Sequence, residues 1–360
     1  MRELLTALRN PLAALDRRWT PSPRTLRLAT NAALVMSVVI VVTGGAVRLT
    51  GSGLGCDTWP KCTGDSLMTT PEMGIHGVIE FGNRLLTYVL AAAIGWVIVA
   101  SRCANPRRRS VTRLGWYQVG VVLANAIVGG VTVLTGLNPF SVAAHFLLAT
   151  ALITLTTLTR RRAREGDETP HPLVGPPVRR VVYAVTAVCG ALVVVGTAVT
   201  GSGRHAGDPG EITRMPFDWE VITRLHAALA WAVVLGTIAV IVGMRLMDAP
   251  AGPRARARDL LIVLLAQGAV GYVQYALDEP ELLVGIHLLG AALTWVAMIR
   301  LVLSLRDRGP VPGRPTDGDR APATPLGTGT AGEIRVPAGA SAEKGDANPA
   351  GDGDRAPAGV

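Results

Sequence analysis

Charge is what the long apolar stretches of this chain lack. Asp, Glu, Lys and Arg make up only 17% of its 360 residues, hydrophobic residues make up 49%, and the mean hydropathy is +0.37. The charges crowd between apolar blocks instead of running through them. A soluble chain, whose helices must show water a polar face, is thereby excluded. Cysteine is scarce as well: of four, only Cys56 and Cys62 share a short segment. A cleavable signal peptide is not expected, since the first long apolar run starts far from Met1 and is too long for an h-region. The formal charge of +9 and the pI near 10.1 do not mark a nucleic-acid partner, because most Arg flanks the apolar stretches, where it orients helices.

What is present is a series of apolar windows of about 20 residues, each enough to cross a hydrocarbon core of roughly 30 Å. Eight occur, near 28–48, 77–100, 114–136, 140–159, 180–200, 220–244, 259–277 and 282–304. Arg17, Arg18, Arg24 and Arg27 precede the first. Basic clusters also follow the second (Arg102, Arg107, Arg108, Arg109, Arg113), the fourth (Arg160, Arg161, Arg162, Arg164), the sixth (Arg245, Arg254, Arg256, Arg258) and the eighth (Arg306, Arg308). Every second connection is basic. The positive-inside rule then places those connections in the cytoplasm, the 49–76 and 202–219 loops outside, and both termini inside. The expectation is an all-α, multi-pass protein of the cell membrane with eight transmembrane helices. It divides into a cytoplasmic arm (1–27), a four-helix half (28–160), a cytoplasmic linker (161–179), a second four-helix half (180–305) and a cytoplasmic tail (306–360). The arm suits either an amphipathic helix on the membrane surface or a disordered segment. The tail, rich in Pro, Gly, Ala, Asp and Thr, is expected to be disordered.

The two halves are related. VVTGGAVRLTGSG at 41–53 matches VVVGTAVTGSG at 193–203, and LANAIVGG at 123–130 matches LAQGAVGY at 265–272. Leu265 minus Leu123 and His287 minus His145 both give 142, an offset too coherent for chance likeness between apolar runs. Four helices per unit leave both units in the same orientation, so the repeat is parallel and the bundles are tandem and pseudo-symmetric. That weakens an alternating-access transporter reading.

Ionisable side chains inside a bilayer are costly, so those retained there are functional candidates. His76, His145, His226 and His287 each lie at, or about five or six residues inside, the outer end of an even-numbered helix, at similar depths. Two imidazoles from neighbouring helices at one depth can supply both axial ligands of a haem iron; a hydrogen-bonded core histidine is the plainer alternative. On the second helix His76, Glu80 and Asn83 share one face with Arg84 beside it, and Asn83 stands where the sister half has His226. Glu80 either faces a reactive pocket or forms a buried ion pair with Arg84. Arg48, Arg84, Arg204, Arg214 and Arg224 lie near outer helix ends, suiting haem propionates or lipid headgroups. Cys56 and Cys62, in GCDTWPKC, suit a structural disulfide or a redox-active pair. Cys103 and Cys189 are expected to stay thiols, and His171 and His205 to be solvated, with His205 also placed to touch a ligand at the outer surface.

The Cys pair, the IExxxR text at Ile79, Glu80 and Arg84, the intramembrane His145, His226 and His287, and the four-plus-four repeat together resemble bacterial haem A synthase over residues 28–304. The resemblance implies an oxidoreductase that converts the C8 methyl of haem O to a formyl group, making haem A for cytochrome c oxidase. The implied steps are hydroxylation, a second oxidation and loss of water. It implies a haem b cofactor held by His226 and His287, with a relay of electrons to an unidentified acceptor. It also implies a haem O substrate bound in the first half with His145 as ligand, and Glu80 as the catalytic carboxylate. The family's second substrate-side ligand falls at Asn83, which leaves either a five-coordinate iron on His145 or His76 as a replacement. A second outer Cys pair common in the family is absent. A haem O synthase is the implied donor, and a homo-oligomer is left open. Two other classes fit the composition: a di-haem b-type electron carrier, and a haem-handling assembly protein without redox chemistry.

Overall fold

The computed structural model describes residues 19–205 and 213–311. The arm up to residue 18 and the tail from residue 312 lie outside the described residues. The eight expected spans are all present as helices: α1 (Pro23–Leu49), α2 (Gly74–Arg102), α3 (Arg109–Leu134), α4 (Pro139–Arg162), α5 (Pro176–Ser202), α6 (Trp219–Leu246), α7 (Ala251–Ala276) and α8 (Glu281–Ser304). A 3-10 turn, Pro71–Met73, leads into α2. Most helices run past their apolar windows at the Arg-rich end, α7 by the whole RARAR stretch. Backbone hydrogen bonding continues beyond the hydrocarbon as long as no breaker intervenes.

The breakers sit where the helices begin. Pro23, Pro139 and Pro176 occupy first-turn positions, where a missing N–H costs nothing. Ser22, Asn138 and Asp218 cap α1, α4 and α6 by accepting from the N–H of Thr25, Phe140 and Val221.

Duplication is written into the backbone of the turns. Gly136 and Leu137, between α3 and α4, have φ of 59° and 58°; Asp278 and Glu279, between α7 and α8, both have 64°. The closing bonds also match, Leu137 N–H to Thr132 O and Glu279 N–H to Gln274 O. All these pairs are 142 apart.

Within each half the helices form a closed ring, α1–α2–α3–α4 and α5–α6–α7–α8, each neighbour packed on the next. One core gathers around Leu90, Ile94, Val97 and Leu152, the other around Val182, Val233, Met244, Leu260 and Met298. The halves meet where α8 packs on α1 and α4 and where α4 touches α5. A third cluster, Val41, Ala149, Ile153 and Ala292, fills that seam. Gly45 lets Leu288 press against the α1 backbone there, and Trp295 Nε1 donates to Thr154 Oγ1 at 2.8 Å across it. Leu28, Val35, Leu123, Ile127 and Leu293 face outward, as bilayer-facing helix surfaces do.

At the Arg-rich end Glu165, 3% exposed, organises a clasp. It pairs with Arg161 and Arg162, each at 2.8 Å, and with Arg306 at 3.6 Å. Arg108 donates to the carbonyls of Arg162 and Glu165 at 2.7 Å, and Asp167 binds Arg162 at 2.6 Å. Burial pulls the Arg108 guanidinium below its ordinary range, and Asp167 and Glu165 counter that pull against Arg162. Beside the clasp β1 (His171–Pro172) pairs antiparallel with β2 (Arg306–Asp307), which ties the segment after α4 to the segment after α8. Replacing Glu165 by Gln removes the buried carboxylate shared by Arg161, Arg162 and Arg306 and is expected to cost about 3 kcal/mol in chemical unfolding in micelles. Arg308→Gln, at the rim, is expected to cost under about 1 kcal/mol.

Candidate functional site

In the second half His226 on α6 and His287 on α8 face each other, with ring centres 6.4 Å apart and planes inclined by 56°. Each ring is backed by a glycine on the preceding helix. A Cβ at Gly196 would lie 3.0 Å from His226 Cε1, and one at Gly271 would lie 3.1 Å from His287 Cε1. The Cε1–Nδ1 edge therefore rests on the helix backbone, and Nε2 points away from it. The Nδ1 atoms of both rings are buried and make no hydrogen bond of ordinary geometry. Gln267 on α7 donates to the His287 carbonyl at 2.8 Å and fixes α7 against α8 at this level.

Two imidazole–metal bonds of about 2.0–2.1 Å in line, with half a ring behind each, put ring centres about 6.3 Å apart. The pair thus has the spacing of two axial ligands to one metal atom. Among the described residues no three His, Cys, Asp or Glu side chains converge on one point.

The first half repeats the arrangement with one substitution. His145 on α4 rests on Gly129 of α3, where a Cβ would lie 2.8 Å from Cε1, and its Nδ1 too is buried without a hydrogen bond of ordinary geometry. Across from it, Asn83 on α2 lies over Gly44 of α1, as His226 lies over Gly196. Asn83 is thus the positional counterpart of His226. Its Oδ1 accepts from the Thr43 hydroxyl at 2.8 Å, and Val195 stands in place of Thr43 in the second half. His76 is exposed and shares a hydrogen bond of 2.9 Å between Nδ1 and Ser52 Oγ. It lies seven residues, about 10 Å, along α2 from Asn83.

Glu80 forms the buried ion pair with Arg84 within a wider network. Its Oε1 accepts from Arg84 Nη2 and its Oε2 from the backbone N–H of Cys56, each at 2.6 Å. Arg84 also donates to the carbonyls of Cys56, Thr58 and Lys61. Cys56 and Cys62 are joined in a disulfide, and both are fully buried. From this loop Trp59 lays its indole on Gly130, the neighbour of Gly129, where a Cβ would find no room. The cysteine loop is therefore a cap over the first half. It is bolted down by Glu80, one helical turn from Asn83, and seated beside the His145 cradle.

The other outer-end arginines are occupied by protein. Arg48 donates to the carbonyls of Thr200 and His205, linking α1 to the end of α5. Arg204 pairs with Asp278 and Arg224 with Glu220, while Arg214 is exposed. His205, expected to be solvated, instead donates from Nε2 to the Glu279 carbonyl at 2.8 Å, because the left-handed turn at Asp278 and Glu279 turns that carbonyl toward it. His171 is exposed in β1. The cradling glycines, Thr43 and Trp59 were not singled out from sequence. The repeated glycines in VVTGG and VVVGT, and in IVGG and AVGY, were the signal that could have found them.

Eight membrane-spanning helices in two ringed halves, with glycine-backed histidines at matched positions, define a polytopic membrane protein. The profile of the cytochrome oxidase assembly protein family, COX15-CtaA, matches residues 28–207, half of the chain, and the protein belongs to that family. Among curated relatives, the heme A synthase of Lysinibacillus sphaericus is 30% identical over 182 residues, 49% of this chain and 58% of that protein. The heme A synthase of Geobacillus thermodenitrificans is 30% identical over 173 residues, 44% and 52% respectively. That of Listeria welshimeri is 29% identical over 192 residues, 51% and 60%. The chain thus spans little more than half the length of the curated relatives it matches.

Arg84→Gln removes the donor that holds the cap's carbonyls. Reduction and alkylation of Cys56 and Cys62 in the folded protein are expected to become about tenfold faster or more, because a buried charge partner of this kind holds a segment by several kcal/mol. An unchanged rate would show that the cap does not depend on Arg84.

Proposed function

We propose that this chain is a haem A synthase, an oxidoreductase that takes the C8 methyl of haem O stepwise to a formyl group for use by cytochrome c oxidase. The observation that carries the reading is the asymmetry between the halves. One has a complete facing pair, His226 and His287; the other has His145 opposite an amide, Asn83. An electron carrier would have two complete pairs, so the asymmetry weighs against that class. The family's printed role in cytochrome oxidase assembly and the names of the relatives support the same reading.

In this reading His226 and His287 would hold haem b, with Gly196 and Gly271 backing the two rings. Haem b would supply a one-electron relay to an acceptor still to be identified. His145 binds the iron of haem O on the open side of the first half, and His76 stays at the rim on Ser52. Asn83, its oxygen held by Thr43 and its Nδ2 lying against Gly44, takes the place of a second ligand without acting as one. Glu80 keeps a carboxylate one turn away, where it stabilises positive charge developing at the methyl carbon or receives its proton at Oε1 or Oε2. The disulfide cap, with Trp59, restricts access to the substrate, while each hydroxylation takes its oxygen from a water molecule and releases two protons and two electrons, the electrons passing to the acceptor. The cysteine loop and the 202–219 loop face outward, and the Arg-rich end and both termini face the cytoplasm, as charge dictates. A haem O synthase supplies the substrate.

The decisive experiment is liquid chromatography with mass spectrometry of haems from a host that makes haem O but no haem A, with and without this chain. Haem A or hydroxylated haem O only in its presence is expected; unchanged haem O beside folded, haem B-loaded protein would overturn the proposal. Glu80→Gln is expected to lower product by about 10²-fold or more with haem content unchanged, the size of effect typical of a catalytic proton-transfer group. Gly271→Val should cut haem b content at least about tenfold by displacing His287, while Gly268→Val, which faces open space, should leave it intact.

A further inference from the structure

At the Arg-rich end of the seam between the halves lies a cationic cluster that the haem reading does not use. Arg27 on α1, Arg160 on α4, Arg164 just beyond it, Arg256 on α7 and Arg300 on α8 gather there, each half-buried. Arg160 Nε and Arg164 Nη2 converge on a single neutral acceptor, Asn31 Oδ1, both at 2.8 Å, and Arg164 also donates to the Arg160 carbonyl at 2.9 Å. Arg300 lies in the field of Arg256 and Arg160, and Arg164 in those of Arg160 and Arg27. Burial, then the Arg160 and Arg27 charges, push the Arg164 guanidinium down to about 10. Among the described residues one carboxylate is ion-paired within the cluster, Asp259, bound to Arg256 at 2.6 Å.

This differs from the other arginine cluster at the same end, where Glu165 and Asp167 lie among Arg108, Arg161, Arg162 and Arg306. It differs also from ordinary snorkelling, in which a long side chain at a span end reaches into water and away from like charge. Here two halves of the protein bring guanidiniums together at the ends of four helices, at headgroup depth. The adjoining α1 surface is apolar and open, with Leu28 50% and Val35 57% exposed two turns apart. An anion carrying hydrocarbon matches both features: guanidinium forks for phosphate oxygens, and a bare helix face for acyl chains.

We propose that this cluster is a binding site for the phosphate headgroup of an anionic phospholipid, seated in the seam where α1 and α4 meet α8. Arg160 and Arg300, one from each half, are its central ligands, and Asn31 positions Arg160 and Arg164. The lipid neutralises the repulsion between the halves and so joins them. The site is independent of the haem assignment, and its failure would leave that reading untouched.

The test uses the full chain, delipidated in neutral detergent, with the thermal unfolding midpoint read against added phosphatidylglycerol, phosphatidylcholine or inorganic phosphate. Phosphatidylglycerol should raise the midpoint saturably, and the other two should not. Arg160→Gln/Arg300→Gln should weaken the apparent lipid affinity about tenfold or more, while Arg109→Gln/Arg113→Gln, the same charge change on exposed α3 positions, should leave it within about twofold. An equal rise with phosphatidylcholine, the same rise with inorganic phosphate, or an equal loss in the α3 variant would each overturn the proposal. If the double variant does not fold, Arg164→Gln and Arg300→Gln are measured singly, and unchanged affinity in both overturns it as well.

Discussion

An imidazole can lie flat between two membrane helices only if the helix behind it gives up a side chain. A Cβ at Gly129, Gly196 or Gly271 would stand 2.8–3.1 Å from the Cε1 of His145, His226 or His287, tighter than side chains tolerate. Each glycine fixes not only that its ring fits but that the Cε1–Nδ1 edge lies nearest the backbone. The helices must also cross closely there, because nothing but glycine separates backbone from ring. Gly44 keeps the same place behind Asn83 although the residue in front has changed. The two halves thus share the close approach of helices at this level although the residues in front of the glycines differ.

The surroundings of Asn83 differ from those of His226. Thr43 supplies a donor to Asn83 where the sister helix carries Val195, so the polar amide introduced into the bundle is partly satisfied in place. The connection above the site diverged further. In the first half a disulfide loop is drawn onto Glu80 and Arg84 and lays Trp59 on Gly130. In the second half Tyr272 occupies the position of Gly130 and accepts instead from Trp231, while Met215 packs on Gly201. The carboxylate near the start of α2 therefore anchors the cap through Cys56 and Arg84 together.

The ends of the molecule are treated differently. At the disulfide end arginines are spent singly on carbonyls and carboxylates, as with Arg48, Arg84 and Arg204. At the other end they are massed. One group is balanced around Glu165, which joins the segments following α4 and α8, and the other is left positive along the seam. The orientation signal carried by arginine thus coexists with two local structures built from the same residue type.

Hydrophobic runs, basic connections and a 142-residue repeat determined, without any coordinates, that the chain is all-helical, spans a bilayer eight times and is duplicated, because those features follow from local composition and covalent order. The same reading found Glu80, Asn83 and the three intramembrane histidines, since charge and imidazole are conspicuous among apolar residues. It placed the helix starts at the Arg-rich end several residues too late, because hydropathy marks the hydrocarbon and not the end of backbone hydrogen bonding. It also left His205 in solvent, since its partner, the Glu279 carbonyl, is 74 residues away. Only the tertiary structure decided that Cys56 presents its N–H to Glu80, that Trp59 lies on Gly130, and that Arg160 and Arg300 come together from different halves. Such contacts depend on how helices distant in sequence cross, and that is set by which small residues let two backbones approach.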